Sequence, residues 1–206
     1  GFIEPGTYSL SESEVAGWQL DEISCINGYF NYNPDSMSVA AGDVIICTVY
    51  NTKLGTLIIE KVAQGGDNEF FFNTTGSGLP NFGITTVDGL GSQTYSNLLP
   101  GTKTVMESSQ PEGWFLDGIV CEDPDGGTLI SDSTATVDLD IGETVTCTFT
   151  DVKYGSITFD KVTNPVETEQ TFEFDTDFTE GNVELGSGGT FTSDPLEPGS
   201  YEATEL

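Results

Sequence analysis

The segment from Ile46 to Val62 returns one hundred positions further on as the segment from Thr146 to Val162. Cys47, Thr48, Lys53, Gly55, Lys61 and Val62 recur as the same residue types, while Asn51 and Glu60 exchange for Asp151 and Asp160. A chain with such an internal period folds as a series of like units, so the repeat decides architecture before any single motif does.

The period extends beyond this segment. Pro5-Gly6-Thr7-Tyr8, Glu12 and Ala16-Gly17-Trp18 correspond to Pro100-Gly101-Thr102-Lys103, Glu107 and Glu112-Gly113-Trp114. A third copy runs from Pro198-Gly199-Ser200-Tyr201 to Glu205. In this register residues 1–54 are the C-terminal half of one repeat, 55–154 a complete repeat, and 155–206 the N-terminal half of a further one. Two arrangements fit. The residues are a window on a longer array, or a subunit's unfinished C-terminal half is completed by the N-terminal half of its neighbour.

A unit of about 100 residues buries a modest core and gains from a covalent staple. The four cysteines fall as Cys25 with Cys47 and Cys121 with Cys147, a pair per unit, which is the arithmetic of one disulfide in each. Closing loops of this length stabilises by roughly 3 kcal/mol. Such bonds persist in oxidising surroundings, which places the chain outside the cytoplasm. A metal is the competing use of paired cysteines, but there is no CxxC pair and no histidine.

Acidic residues number 34 against five lysines, for a formal charge of -29. That field repels nucleic acid and anionic membrane surfaces. Its plain reading is a solvated, highly soluble surface, suited to salty surroundings that screen self-repulsion. Divalent cations bridging carboxylates are the alternative use. Calcium has its best site at Asp123 and Asp125 in the turn from Glu122 to Gly127. The loop after Cys25 offers no carboxylate in return, and an ordinary Asp-Gly turn accounts for the same residues.

No apolar run approaches the roughly 18 residues of a membrane helix. Gly1 opens no recognisable signal peptide, so any secretion signal or anchor is expected outside these residues. Helical periodicity is missing. Thr, Val, Ile, Phe and Tyr alternate instead over short stretches bounded by Gly, Pro, Asn and Asp, an all-β pattern. Strands are expected over Val44 to Tyr50, Thr56 to Val62, Glu69 to Asn73, Thr102 to Glu107, Thr144 to Thr150, Ser156 to Val162 and Thr171 to Asp175. Short strands at this density describe a β-sandwich.

Alternation carries the sharpest chemical inference. Between Gly142 and Asp151 the threonines take one face, and Val145, Cys147, Phe149 and Asp151 the other. The earlier copy agrees, with Ile45, Cys47, Val49 and Asn51 in phase. Leu57, Ile59 and Lys61 share a face, as do Ile157, Phe159 and Lys161. Val105 aligns with Glu107, Leu10 with Glu12, and Ala203 with Glu205. A lysine, a glutamate and an Asp or Asn therefore point inward from three strands of one unit. Separately buried charges cost several kcal/mol each, so these groups must cluster. A bond removes the charges altogether: burial favours a neutral amine and a protonated glutamate, which polarises the Asp or Asn carbonyl for attack. Condensation releases water from Asp151 or ammonia from Asn51. The bland alternative is a strand-end salt bridge in solvent.

The pattern from Gly55 to Lys61, Leu99-Pro100-Gly101 to Glu107, Pro111 to Trp114 and Cys147 to Asp151 resembles the prealbumin-like repeats of bacterial surface proteins. These are also known as collagen-adhesin B-type or SpaA-type pilin domains. The resemblance covers the middle unit and both partial ones. It implies a transthyretin-like, inverse immunoglobulin-like sandwich used in stalks, pili and adhesins. It further implies an autocatalytic isopeptide bond from Lys61 to Asp151, assisted by Glu107. The cysteine pair, linking neighbouring strands in this reading, departs from the commonest pilin version, and a domain with a disulfide need not form the isopeptide. The partial units carry fragments of the same site. Glu12 and Asn51 lack an upstream lysine, and Lys161 and Glu205 lack a downstream acceptor; across a split interface these groups would meet.

No histidine, arginine, phosphate-cradling glycine loop or placed nucleophile with a base suggests an enzyme. The expected function is an extracellular, cell-surface stalk or filament. Its partners are further copies of itself, head to tail, or further repeats of a longer chain. The rival is an adhesin that recognises a host glycan or protein through Tyr29, Phe30 and Tyr32, although loop aromatics more often pack locally. Asn73-Thr74-Thr75 is a glycosylation sequon. The linkers Asn51 to Gly55 and Asp151 to Gly155 leave little slack, which predicts a stiff rod.

Overall fold

The computed structural model describes residues 3–166 and 169–206. Gly1, where the first partial repeat opens, lies outside the described residues. Among the described residues every regular element is a strand, and no helix is long and apolar enough to cross a membrane.

The N-terminal residues form β1 (Gly6–Tyr8), β2 (Trp18–Asn27), β3 (Phe30–Tyr32), β4 (Met37–Val39) and β5 (Ile46–Lys53). Here β1 pairs with β4, and the other three form a sheet in the order β3-β2-β5. The middle residues form β6 (Gly55–Gln64), β7 (Glu69–Thr75), β8 (Phe82–Thr85), β9 (Leu90–Leu98), β10 (Gly101–Ser109), β11 (Trp114–Glu122), β12 (Leu129–Ser131), β13 (Thr134–Leu139) and β14 (Thr144–Lys153). The remainder is β15 (Thr158–Asp160), β16 (Thr171–Thr176), β17 (Val183–Gly186), β18 (Thr190–Thr192) and β19 (Ala203–Glu205). These last strands make a β15-β18 pair and a β17-β16-β19 sheet.

The middle strands build a complete sandwich. A sheet ordered β12-β13-β10-β7-β8 faces one ordered β11-β14-β6-β9. Alternate residues of both enter one core: Leu57, Ile59, Phe70, Phe72, Val105, Val137, Leu139, Val145 and Phe149 are buried together. Phe72 meets Phe149 edge-on across the layers at 5.1 Å. Burying each such side chain contributes about 1.5–3 kcal/mol. The sheets approach closely at Gly91, where an added Cβ would lie 2.5 Å from Ile84 Cγ2. Pairing is antiparallel except between the first and last strands, β6 and β14, which run side by side in the same direction.

The flanking units differ from the sequence expectation for one physical reason: each has only part of a sandwich around it. β5 pairs with β2 alone and starts at Ile46 rather than Val44. The strand expected over Ser156 to Val162 contracts to β15, which pairs only with β18. Val49, meant for the inner face, is 38% exposed, whereas its counterpart Phe149 is fully buried. Both β5 and β14 run on through Lys53 and Lys153, beyond their expected ends at Tyr50 and Thr150, because β2 and β11 pair with them up to Trp18 and Trp114.

The junction between the first two units is short and hydrogen-bonded. Leu54 alone separates β5 from β6. The Leu54 amide donates to Gly17 O at 2.9 Å, Gly142 N to Lys53 O at 3.2 Å, and Thr56 N to Glu143 O at 2.8 Å.

Candidate functional site

Lys61 from β6, Asp151 from β14 and Glu107 from β10 meet inside the middle sandwich. In the parallel register Lys61 stands opposite Phe149 and Asp151 opposite Ala63, so lysine and aspartate are diagonal neighbours on the inner face. The lysine Nζ donates to Glu107 Oε2 at 3.1 Å and lies 3.0 Å from Asp151 Oδ2. All three residues are buried.

Both carboxylates sit beside irregularities that strict alternation does not foretell. Opposite Asp151 the register of β11 shifts between Leu116 and Gly118, and β10 shifts against β7 between Glu107 and Ser109. Such bulges re-aim side chains. In β14 the neighbours Asp151 and Val152 are both buried. The N-terminal unit repeats the first shift between Leu20 and Glu22, opposite Asn51. The sequence signal was Asp117-Gly118 interrupting the apolar residues of β11.

Burial is the main cause that pushes the Glu107 carboxyl up to about 8; its hydrogen bond with Asp151 adds to the rise and Lys61 opposes it. Glu107 is therefore mostly protonated at neutral pH and carries an O–H to donate. Both Asp151 oxygens and Glu107 Oε1 are buried without a hydrogen bond, although Lys61 Nζ lies 3.0 Å from Asp151 Oδ2, so a proton shared between the two carboxyls would satisfy a buried acceptor. The arrangement is a lysine amino group in contact with the Asp151 carboxyl, beside the mostly protonated Glu107, all three closed off from solvent.

Aromatic rings close the pocket. The Phe70 centroid lies 4.3 Å from Lys61 Nζ, close enough for a cation–π contact. Phe70 in turn packs edge-on against Trp114 at 5.5 Å. This gives the repeated Gly-Trp motif a position that phase reasoning did not supply: Trp114 backs the ring that covers the amine. Lys103, also unforeseen, is buried on the same face of β10, and burial lowers its pKa. Tyr8 and Tyr201 occupy that place in the flanking units.

The partial sites hold together in part. Asn51 Nδ2 donates to both oxygens of Glu12 at 3.1 Å, in the open. Lys161 Nζ reaches Glu205 Oε1 at 2.8 Å and Oε2 at 2.7 Å, with Phe172 beneath it at 3.9 Å. The inward placement expected of these four residues is not observed. Asn51 and Glu205 are exposed, and Glu12 and Lys161 half-buried, because the strands that would cover them are absent from their units.

Cys25–Cys47 and Cys121–Cys147 are disulfides, each joining directly opposed residues of neighbouring strands. Carboxylate oxygens of Asp123, Asp125 and Glu143 lie within 4.8 Å of one another. Asp123 is already engaged: its oxygens accept the amides of Asp125, Gly126 and Thr128. The Thr128 bonds lead in lowering its pKa to about 2. Tyr29 and Phe30, expected to pack locally, instead project from the β2–β3 hairpin, 102% and 74% exposed, while Tyr32 is half-buried.

Comparison with known proteins follows the same division of the chain. A prealbumin-like fold domain matches residues 57–153 and a second matches residues 2–49. Among solved structures, the Bacillus anthracis TIE protein is similar at 16% identity and a TM-score of 0.36 over 92% of this chain, which covers 35% of that one. The minor pilin GBS52 of Streptococcus agalactiae is similar at 16% identity and 0.31, over 62% of this chain and 61% of its own. A streptococcal ancillary pilin is similar at 15% identity and 0.34, over 99% and 67%. The chain thus spans about a third of the first of these structures and three-fifths of the second. Comparison with curated protein sequences finds no match. The two domain matches, together with the sandwich and its repeat, identify the chain as a member of the SpaA-type prealbumin-like domain family.

Proposed function

We propose that this chain is part of an extracellular, pilus-type surface stalk, and that its complete domain cross-links itself once through Lys61 and Asp151. The observation that carries the reading is the buried contact of Lys61 Nζ with Asp151 at 3.0 Å beside Glu107. A proton leaves the Lys61 ammonium for the Asp151 carboxyl, relayed by Glu107. The freed amine adds to Asp151 Cγ, Glu107 hydrogen-bonds the developing oxyanion, and the adduct expels one water. One C–N bond forms and one C–O bond breaks. The reaction draws on no cofactor and happens once, so the domain is a self-modifying structural element without turnover. The disulfides favour an oxidising, extracellular location.

Intact mass after reduction tests this directly. The expected mass is one water below that calculated from the sequence, with Lys61 and Asp151 peptides joined. Glu107→Gln should fold yet keep its full mass. An unaltered mass in the parent chain sinks the reading.

The outward Tyr29 and Phe30 favour a second role, adhesion to a neutral glycan or a protein surface. Replacing Tyr29, Phe30 and Tyr32 together by alanine should abolish retention on immobilised ligand without changing the melting temperature. Unchanged retention removes the role.

A further inference from the structure

The sequon Asn73-Thr74-Thr75 lies in β7 of the complete domain and has no part in the buried lysine site. Side chains alternate along a strand, so Phe71, Asn73 and Thr75 share the outer face of the sheet while Phe70 and Phe72 enter the core. Asn73 is exposed. Its side-chain amide has no hydrogen-bond partner among the described residues, whereas Asn27, Asn33, Asn51, Asn68 and Asn81 all use theirs within the fold. A bulky group on Asn73 Nδ2 would therefore displace nothing.

Two apolar side chains flank the asparagine on that face. Phe71, two residues earlier, is 49% exposed, and Met106, directly opposite on β10, is 37% exposed. The Phe71 ring rests on Gly83 of β8, where an added Cβ would lie 3.3 Å from its Cε1, so one side of the ring is seated and the other faces solvent. Their neighbours on the same face are polar: Thr75, Thr85, Thr102, Thr104 and Thr136. Two half-open side chains fall far short of the roughly 800 Å² per partner that a stable protein interface buries. They do suit one sugar ring, whose C–H face packs on an aromatic side chain as other apolar surfaces do.

We propose that Asn73 is an N-glycosylation site whose first sugar packs on Phe71 and Met106. The donor is an oligosaccharide carried on a polyisoprenyl pyrophosphate, and a membrane transferase that reads the Thr75 hydroxyl moves it. A C–N bond forms between Asn73 Nδ2 and the anomeric carbon, and the C–O bond from that carbon to the pyrophosphate breaks. The amide nitrogen gives up one proton, and the lipid pyrophosphate leaves. In the fold the Thr75 hydroxyl is engaged with that of Thr104 at 2.6 Å, and β7 is hydrogen-bonded to β10 and β8 on its two sides. Transfer therefore precedes folding, and the sandwich then closes with the glycan on its outer face. The proposal rests on the extracellular location inferred for the chain, since the donor is met only on export.

The test uses the full chain and its variants isolated from the cells that produce it. The intact mass of the parent should exceed the sequence value by whole sugar units, all of them on the Asn73 peptide. Asn73→Gln and Thr75→Ala should lose the addition entirely, and Thr75→Ser should keep it. An addition that survives Asn73→Gln sits on another residue and overturns the site. Asn73→Gln carries only the one-water loss of the middle-domain bond, so the two modifications are read apart. The melting temperature should fall from parent to Asn73→Gln, and the same comparison in a Phe71→Ser background should show no shift. An equal fall in both backgrounds overturns the packing on Phe71. Unmodified chain recovered outside the cells overturns the glycan and leaves the surface stalk standing, while unmodified chain in the cytoplasm overturns both.

Discussion

At the scale of single residues, the chemistry turns on which group holds a proton. Glu107 is neutral in the fold because burial outweighs the pull of Lys61. Its ordinary value is 4.5 and its value in the domain is about 8. Being raised, it contributes stability fully below pH 4.5, and loses that contribution as pH rises through about 8. The rate of bond formation should follow the same proton. Chain isolated unfolded and uncross-linked, then refolded, should lose water at a constant rate below about pH 8, and about tenfold more slowly for each pH unit above it. Intact mass against time measures this, and a rate that climbs through pH 8 to 10 excludes protonated Glu107 as the participating form. Phase alone located Lys61, Glu107 and Asp151 in the sequence, since each shares the parity of apolar neighbours. Phe70 and Trp114 were not legible as a cover, because alternation gives the face a ring occupies and not the distance at which it meets an amine.

Strands and their staples set the next scale. The disulfide Cys121–Cys147 joins residues already opposed across β11 and β14, and its loop separation is 26. Reducing it should lower unfolding free energy by roughly 3 kcal/mol in denaturant titrations, chiefly by freeing the unfolded chain. No change in midpoint on reduction would mean that the middle bond already supplies the constraint. Gly91→Ala should cost about 1–3 kcal/mol, since the new methyl meets Ile84 Cγ2 from the adjoining strand. Thermal melting checks it, and an unchanged melting temperature would show that β8 has room to yield. The position and phase of β6, β7, β10 and β14 were legible because each is long and flanked by partners. The length of β15 was not: Ser156 to Val162 carries a strand pattern, but its pairing with β18 spans only three positions. Sequence pattern states what a strand is able to bury, while its neighbours decide how much of it forms.

Over the whole molecule the charge of -29 acts on everything the repeats build. Raising ionic strength from about 0.01 to 1 M shortens the screening length from about 30 Å to about 3 Å. The melting temperature should therefore rise with sodium chloride, and a fall under scanning calorimetry would refute self-repulsion as the leading surface term. The parallel pairing of β6 with β14 has a further, mechanical consequence. The middle domain is entered at the start of one strand and left at the end of its immediate neighbour, and nine register positions hold the two together. Tension applied along the chain pulls these strands past each other, so their hydrogen bonds resist in shear, all at once, instead of unzipping singly from an end. The Lys61–Asp151 contact spans that same pair of strands. A bond there would carry the load across the domain through a few atoms, leaving the loops and the rest of both sheets unstretched.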